Sequence, residues 1–386
     1  MAMTFFRQRL LMFLFCIFLV HATLMADSAL DRANTQTSLK YLKAATRYSD
    51  LSLPPQNQWC TCAPYLKQHK STILLLQQAT KLPPVDFSRY HDSNMLLPKD
   101  IGFINGLSEC IRLLMLDFTY AVNTKQESRA KSALVTALKT NSLIAGVPLL
   151  YAQLCRTGII SIIFERIQDT VDLTGNGLEI FNDATIQNFC VLLKQQEKES
   201  LAGYQNSLLN ESQIPNSELG NYFKVHTVPG LKINDYTALT KQYRALCKLC
   251  AESLDQPSNK VWLQISNEAN AFNRHFKTKM ITPIDWKYNY LKTISDLRIL
   301  RIVFEAVKFK NRHGTFPHSQ EQFVPEDIRK NGFISFYYTG TRDTFKVTSS
   351  VKNSSFEYRK RKPETQSLEN KDQTLSPFGV PVPFNK

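Results

Sequence analysis

The chain has 386 residues, 43% of them hydrophobic, so it can build one large core or two ordinary ones and is too apolar to remain unfolded. Lysine and arginine outnumber aspartate and glutamate by 47 to 33, and the resulting net charge of +14 suits anionic partners such as phospholipid headgroups, acidic glycans or nucleic acid. The basic residues nevertheless fall singly along polar helix faces, apart from Arg359-Lys360-Arg361-Lys362, and no arginine stripe with interleaved aromatics is present. A nucleic-acid partner is therefore not expected.

The first thirty residues bear on the compartment. Arg7 and Arg9 precede an apolar run from Leu10 to Val20, and small residues follow at Ala22 and Ala26. This is the basic, apolar, small-residue order of a secretory signal. Residues 1–26 therefore read as a signal peptide or as an N-terminal membrane anchor. In either case the positive end stays in the cytoplasm and the remainder is exported, periplasmic or anchored facing the periplasm.

Residues 27–283 read as a helical domain. Ser28 to Tyr48 has helical periodicity and ends at Leu53-Pro54-Pro55. Trp59-Cys60-Thr61-Cys62-Ala63-Pro64 reads as a compact loop, and a helix over Tyr65 to Ala79 closes at Leu82-Pro83-Pro84. Asp86 to Pro98 looks irregular. Lys99 to Val171 then predicts three consecutive helices, with breaks near Asn123 and at Gly146-Val147-Pro148. The middle one carries Ala130, Ala133, Leu134, Ala137, Leu138 and Ile144 at the spacing of one helical face. The third contains Ile159-Ile160-Ser161-Ile162-Ile163-Phe164, which needs cover on almost every side. Gln153 and Arg156 near its middle make it a buried core helix rather than a membrane span, because an unpaired arginine at mid-bilayer costs a few kcal/mol.

A loop at Asp172 to Asn182, marked by Gly175-Asn176-Gly177, leads to Asp183 as N-cap of a long helix reaching about Leu209. Its buried stripe is Ile186, Phe189, Leu193, Leu201, Tyr204 and Leu208. Residues 210–233 are the longest interruption, a loop or an inter-lobe linker. Helices follow over Tyr236 to Leu254 and Val261 to Phe276.

The segment 284–358 reads as a long helix plus a short β-hairpin module. The helix runs from Ile284 to Arg312 and enters a structural turn, with Gly314 as its left-handed terminator, Phe316 beside it and Pro317 preventing continuation. Ser319 and Gln322 form a capping-box pattern before Pro325. Phe333 to Tyr338, a Thr339-Gly340 turn and Thr344 to Val351 predict a hairpin, with a third strand at Phe356 to Tyr358. Residues 359–386 are polar and proline-rich, and a disordered tail is expected there. The fold class is thus mainly α, a multi-helix antiparallel array or bundle with a small C-terminal β-hairpin module.

This order of features resembles a group of exported bacterial helical proteins of uncharacterised function. The residues that carry the resemblance are Leu53-Pro54-Pro55, Leu82-Pro83-Pro84-Val85-Asp86-Phe87 and Leu96-Leu97-Pro98. At the far end they are Arg298, Arg301, Glu305, Lys308 to Arg312, His313-Gly314-Thr315-Phe316-Pro317 and Phe323-Val324-Pro325. The C-terminal pattern is also similar to the soluble end of type II secretion pseudopilins. Their glycine-rich leader has no counterpart at Met1 to Leu10, and a long helical stretch intervenes here. The resemblance therefore implies an exported location and the shape of the C-terminal module, not pilus assembly.

Eight cysteines form the most suggestive constellation. Cys247 and Cys250 share one face of a predicted helix, and Cys60 and Cys62 share a segment. The four suit ordinary buried thiols, disulfides in an oxidising compartment, or a four-thiolate metal site. His313 and His318 flank the turn without nearby ligands. Glu165, Asp169 and Asp172 beside Arg166 look like a solvated helix face, while Asp86 and Asp92 are a possible acid–base pair. No zinc-protease helix, nucleophile elbow, phosphate loop or dinucleotide fingerprint is present. The expectation is a non-enzymatic envelope scaffold or interaction module with no cofactor, partnered by another envelope protein or an anionic surface, and by the membrane if the N-terminal segment is retained. The alternative is an envelope hydrolase whose carboxylates converge only in the fold.

Overall fold

The computed structural model describes residues 59–82, 98–147, 149–173, 177–214, 219, 223, 233–256, 259–276, 283–329 and 334–359. The expectations for the N-terminal segment, the helix at Ser28 to Tyr48, Asp86, Asp92 and the tail lie outside these residues, as does most of 210–233. Ten α-helices are present among the described residues: α1 (Trp59–Gln68), α2 (Lys70–Ala79), α3 (Pro98–Asn123), α4 (Glu127–Ala145), α5 (Leu150–Leu173), α6 (Asp183–Glu211), α7 (Ile233–Ser253), α8 (Asn259–Asn273), α9 (Pro283–His313) and α10 (Glu326–Arg329). They are followed by β1 (Phe336–Gly340), β2 (Thr344–Ser349) and β3 (Ser355–Arg359), a three-stranded antiparallel sheet in the order β1-β2-β3. The mainly helical class and the small C-terminal sheet match the expectation.

Helices α3, α4 and α5 are the three predicted, with breaks where Asn123 and Gly146 fall. Every residue named for the face of α4 is buried. In α5, Ile159, Ile160, Ile163 and Phe164 are buried, while Ile162 is half-buried. No helix among the described residues is long and apolar enough to cross a membrane.

The most enclosed element is α9. From Thr293 to Val307 every residue is buried except Arg298 and Glu305. One face meets α6 and α5, another meets α7 and α8, and β2 and β3 lie along a third. A helix covered on all sides needs apolar residues around its circumference; Leu297, Ile299, Leu300, Ile302, Val303, Phe304, Ala306 and Val307 supply them. One core joins α1–α6 with the C-terminal half of α9 and the inner face of the sheet, including Phe316, Phe345, Val347, Phe356 and Tyr358. A second lies between α6, α7, α8 and the N-terminal half of α9, around Tyr204, Leu208, Trp262, Trp286 and Tyr290.

Several local expectations are corrected. Trp59 to Pro64 is helical, not a loop: Pro64 sits inside α1 and forfeits one backbone bond without ending the helix. The break instead falls at His69, with φ −97° and ψ 9°, which divides the predicted Tyr65–Ala79 helix. Asn182, not Asp183, caps α6. Its extended backbone places Oδ1 to accept from the Thr185 N–H at 2.9 Å, and Asp183 becomes the first helical residue. The preceding loop is shorter than expected and contains a 3-10 turn at Gly177–Ile180.

Thr339 and Gly340 belong to β1, and the turn is Thr341 to Asp343, closed by Thr341 N–H donating to the Thr344 carbonyl at 2.8 Å. Gly340 is required in the strand because a Cβ there would run into the Pro317 carbonyl and the Tyr338 ring. The short helix α10 was not expected from the sequence; it begins directly after Pro325, whose carbonyl accepts from Ile328 and Arg329.

Candidate functional site

Three of the four candidate thiols, Cys62, Cys247 and Cys250, have described side chains, and all three are buried. Cys62 is fully buried in the first core and Cys250 is buried in the second; the side chain of Cys60 lies outside the described residues. Among the described residues no group of three His, Cys, Asp or Glu side chains is placed to hold a metal. Cys110, Cys155, Cys190, Cys247 and Cys250 are free thiols. Burial pushes the Cys110 and Cys247 thiols up to about 12 and raises Cys250 as well, so none of these three is a ready thiolate.

The turn residues have structural work. Gly314 has φ +77°, and its N–H donates to the Lys310 carbonyl at 2.7 Å, ending α9. Phe316 is fully buried against the rings of Phe345 and Tyr358 at 4.8 and 4.9 Å, under the Lys310 ammonium at 4.2 Å. The Pro317 carbonyl accepts from the Tyr338 hydroxyl at 2.8 Å. His313 stacks on Phe309 and His318 is exposed. Arg166 pairs with Asp169 at 3.2 Å along α5, beside an exposed Glu165.

Polar groups that do converge sit between helices. Arg156 on α5 is only 2% exposed. Its Nη2 donates to Gln196 Oε1 at 3.1 Å and lies 3.4 Å from Glu199 Oε2, both on α6. Gln196 also accepts from Asn141 Nδ2 at 2.7 Å and donates to the Leu138 carbonyl, joining α4 to the belt. Burial lowers Arg156 to about 10, which leaves it charged at neutral pH. On the next residue, Thr157 Oγ1 meets the Tyr204 hydroxyl at 2.7 Å and Thr293 Oγ1 at 2.8 Å, linking α5, α6 and α9.

A second cluster fastens α9 to α6 and α10. Arg301 donates from Nη1 to Glu197 Oε1 at 2.8 Å and from Nη2 to both Asp327 oxygens at 2.9 and 3.1 Å. Arg298 reaches the other Glu197 oxygen at 2.9 Å, and Lys194 pairs with Asp327 at 2.9 Å. Near the sheet, Asp296 is held by Lys292 at 2.7 Å and by the Ser354 hydroxyl at 2.9 Å, while burial raises its carboxyl above the usual range. Lys310 and the Tyr358 hydroxyl both reach Glu179 at 2.8 Å.

One open hollow among the described residues lies on α7. Its inner face buries Leu239, Leu246, Cys247, Cys250 and Ala251. Its outer face borders a hollow of about 470 Å3 lined by Thr237, Lys241, Arg244, Ala245 and Lys248. Helical spacing brings these five onto one strip. Arg244 is held in place by Nη2 donating to the Ile214 carbonyl. This strip is the feature that the reading of singly scattered basic residues missed. Its signal was present: like charges at i, i+3 and i+7 of a predicted helix.

Comparison with protein families, with curated proteins and with solved structures finds no match to this chain.

Proposed function

We propose that this chain is an exported, non-enzymatic protein of the cell envelope, a helical scaffold or interaction module. The observation that carries this reading is the placement of the ionisable groups. Arg156, Glu197, Asp296, Arg298, Arg301, Lys310 and Glu179 each link neighbouring elements through bonds to other groups of the fold. Groups held in this way brace helices against one another. A general acid or base has to face a substrate in an open cleft, and the hollow described on α7 presents cations and a hydroxyl. Cations on an outward-facing helix suit an anionic partner, and the resemblance to exported helical proteins agrees with that setting.

The experiment is in-cell crosslinking of a tagged full chain followed by identification of what is recovered, combined with alkaline phosphatase fused after Lys386. Specific recovery of one envelope component and an active fusion are expected. Turnover of an envelope polymer by the pure protein, or an inactive fusion, would overturn the reading.

A further inference from the structure

We infer that the α7 hollow is an anion-binding site that docks the protein on the phosphate headgroups of an anionic lipid surface. This deepens the exported-scaffold reading and rests on it for its setting. Three properties of the strip point to this ligand.

The first is its charge. Lys241, Arg244 and Lys248 stand on one face, and among the described residues no carboxylate pairs with them. Other cations of the body do have such partners: Arg129 holds Asp117, Lys292 holds Asp296, and Arg298 and Arg301 hold Glu197. Lys241 and Lys248 thus carry charge that no described carboxylate neutralises, and Arg244 adds a guanidinium held by a neutral carbonyl.

The second is its fixity. The opposite side of α7 is buried in two apolar clusters, with Leu239 and Leu246 in one and Cys250 and Ala251 in the other. The helix therefore cannot roll to hide the strip. The bond from Arg244 to the Ile214 carbonyl holds the guanidinium before any ligand arrives, which lowers the ordering cost of binding. Thr237 adds a hydroxyl donor, and Ala245 leaves room between the cations for an approaching group.

The third is its layout. At 1.5 Å rise per residue, Lys241 and Lys248 are roughly 10 Å apart along the axis. Cations that converge on one point suit a single bound phosphate, whereas cations strung along a line suit a row of headgroups. The net charge of +14 draws the whole chain toward such a surface, and the apolar run from Leu10 to Val20 reads as a membrane-directed signal or anchor. Glu252, one turn beyond Lys248, ends the strip.

The test is flotation of the full chain with vesicles of phosphatidylcholine alone and of an equal mixture with phosphatidylglycerol. Any insertion of the N-terminal apolar run contributes to both compositions, so the ratio isolates headgroup charge. A cation near an anionic surface is worth roughly fivefold in binding, so Lys241→Gln with Lys248→Gln should cut that ratio roughly twenty-five-fold. Both lysines are exposed, so the thermal midpoint of the double variant should not move. No preference for the anionic vesicles, or an equal preference in the variant, would overturn the docking site. Loss of the preference on adding inorganic phosphate at matched ionic strength would also overturn it, by showing that a free anion is the ligand. Vesicle preference together with an inactive alkaline phosphatase fusion would retain the site and remove the exported setting, so the two readings fail separately.

Discussion

Gly203→Ala sets two effects of opposite sign against each other. Gly203 lies inside α6, where replacing glycine by alanine gains about 1 kcal/mol of helix propensity. On a solvated face the variant would therefore be more stable. At this position the new Cβ would lie 2.8 Å from Gln153 Cδ and 3.0 Å from Nε2, with Oε1 closer still. Gln153 is fully buried and is not free to swing away. Its Nε2 donates to the Val147 carbonyl at 3.1 Å and toward the Ala145 carbonyl at 3.4 Å, which satisfies the end of α4. Forcing α5 and α6 apart costs about 1–3 kcal/mol as overpacking. Expelling Gln153 instead forfeits those bonds at about 1 kcal/mol each and leaves buried carbonyls unpaired. The cheaper response governs, and its cost less the propensity gain leaves a net destabilisation of about 1 kcal/mol. Urea denaturation should show it as a midpoint lower by about 0.5 M at unchanged slope. In a double-mutant cycle, Gln153→Ala should absorb about 1 kcal/mol or more of the Gly203→Ala penalty. A Gly203→Ala protein more stable than the parent, or strictly additive variants, would refute the close approach of α5 to α6.

Arg156 donates from only one of its terminal nitrogens while Nε and Nη1 are buried without partners. Arg156→Met should therefore fall within about 1 kcal/mol of the parent or above it, and Arg156→Ala should lose roughly 2–4 kcal/mol through the cavity it leaves; equal midpoints for the two in urea would contradict this. Glu197→Ala removes the shared partner of two arginines and should cost about 3 kcal/mol or more, read as a lowered thermal midpoint. A Cβ on Gly314 would meet nothing within 4 Å, so Gly314→Ala should cost only the backbone penalty of about 1 kcal/mol; a much larger loss would mean a steric role. Lys287 stands 4.0 Å from the Trp262 ring, an arrangement that favours the ammonium, yet burial prevails and lowers it to about 8. Because its folded value lies below the unfolded one, this lysine should add stability as pH rises from about 8 to 10.5. Mass spectrometry of acetylation at pH 8 should find Lys287 modified before the surface lysines; last-place labelling would contradict the shift.

The sequence shows those elements whose pattern is complete within one helix. The face of α4 repeats at helical spacing without interruption, and Gly314 with Pro317 marks the end of α9 by local backbone chemistry alone. The central place of α9 was hidden because Lys292, Asp296, Arg298, Arg301 and Glu305 interrupt its apolar pattern. They are tolerated inside because partners on α6, α10 and the β2–β3 turn reach them, and such partners cannot be seen in one segment. The cysteines fail in the other direction. The spacing of Cys247 and Cys250 shows a common face, but whether Cys62 joins them depends on which core each helix enters. The α7 strip was written in the spacing, and its hollow was not, since a concavity depends on what stands beside the helix.

One side chain of α5 gives the small sheet a direction. Gln168 Nε2 donates to the Glu357 carbonyl at 2.6 Å, and its Oε1 accepts from the Glu357 N–H at 2.9 Å. A single amide thus acts as the neighbouring strand would, and it caps the outer margin of β3. Strands of other chains that pair with an open margin are the usual route to fibres and runaway association. In this protein Gln168 occupies that margin of β3 at Glu357, and an array growing from the β3 side would first require Gln168 to let go.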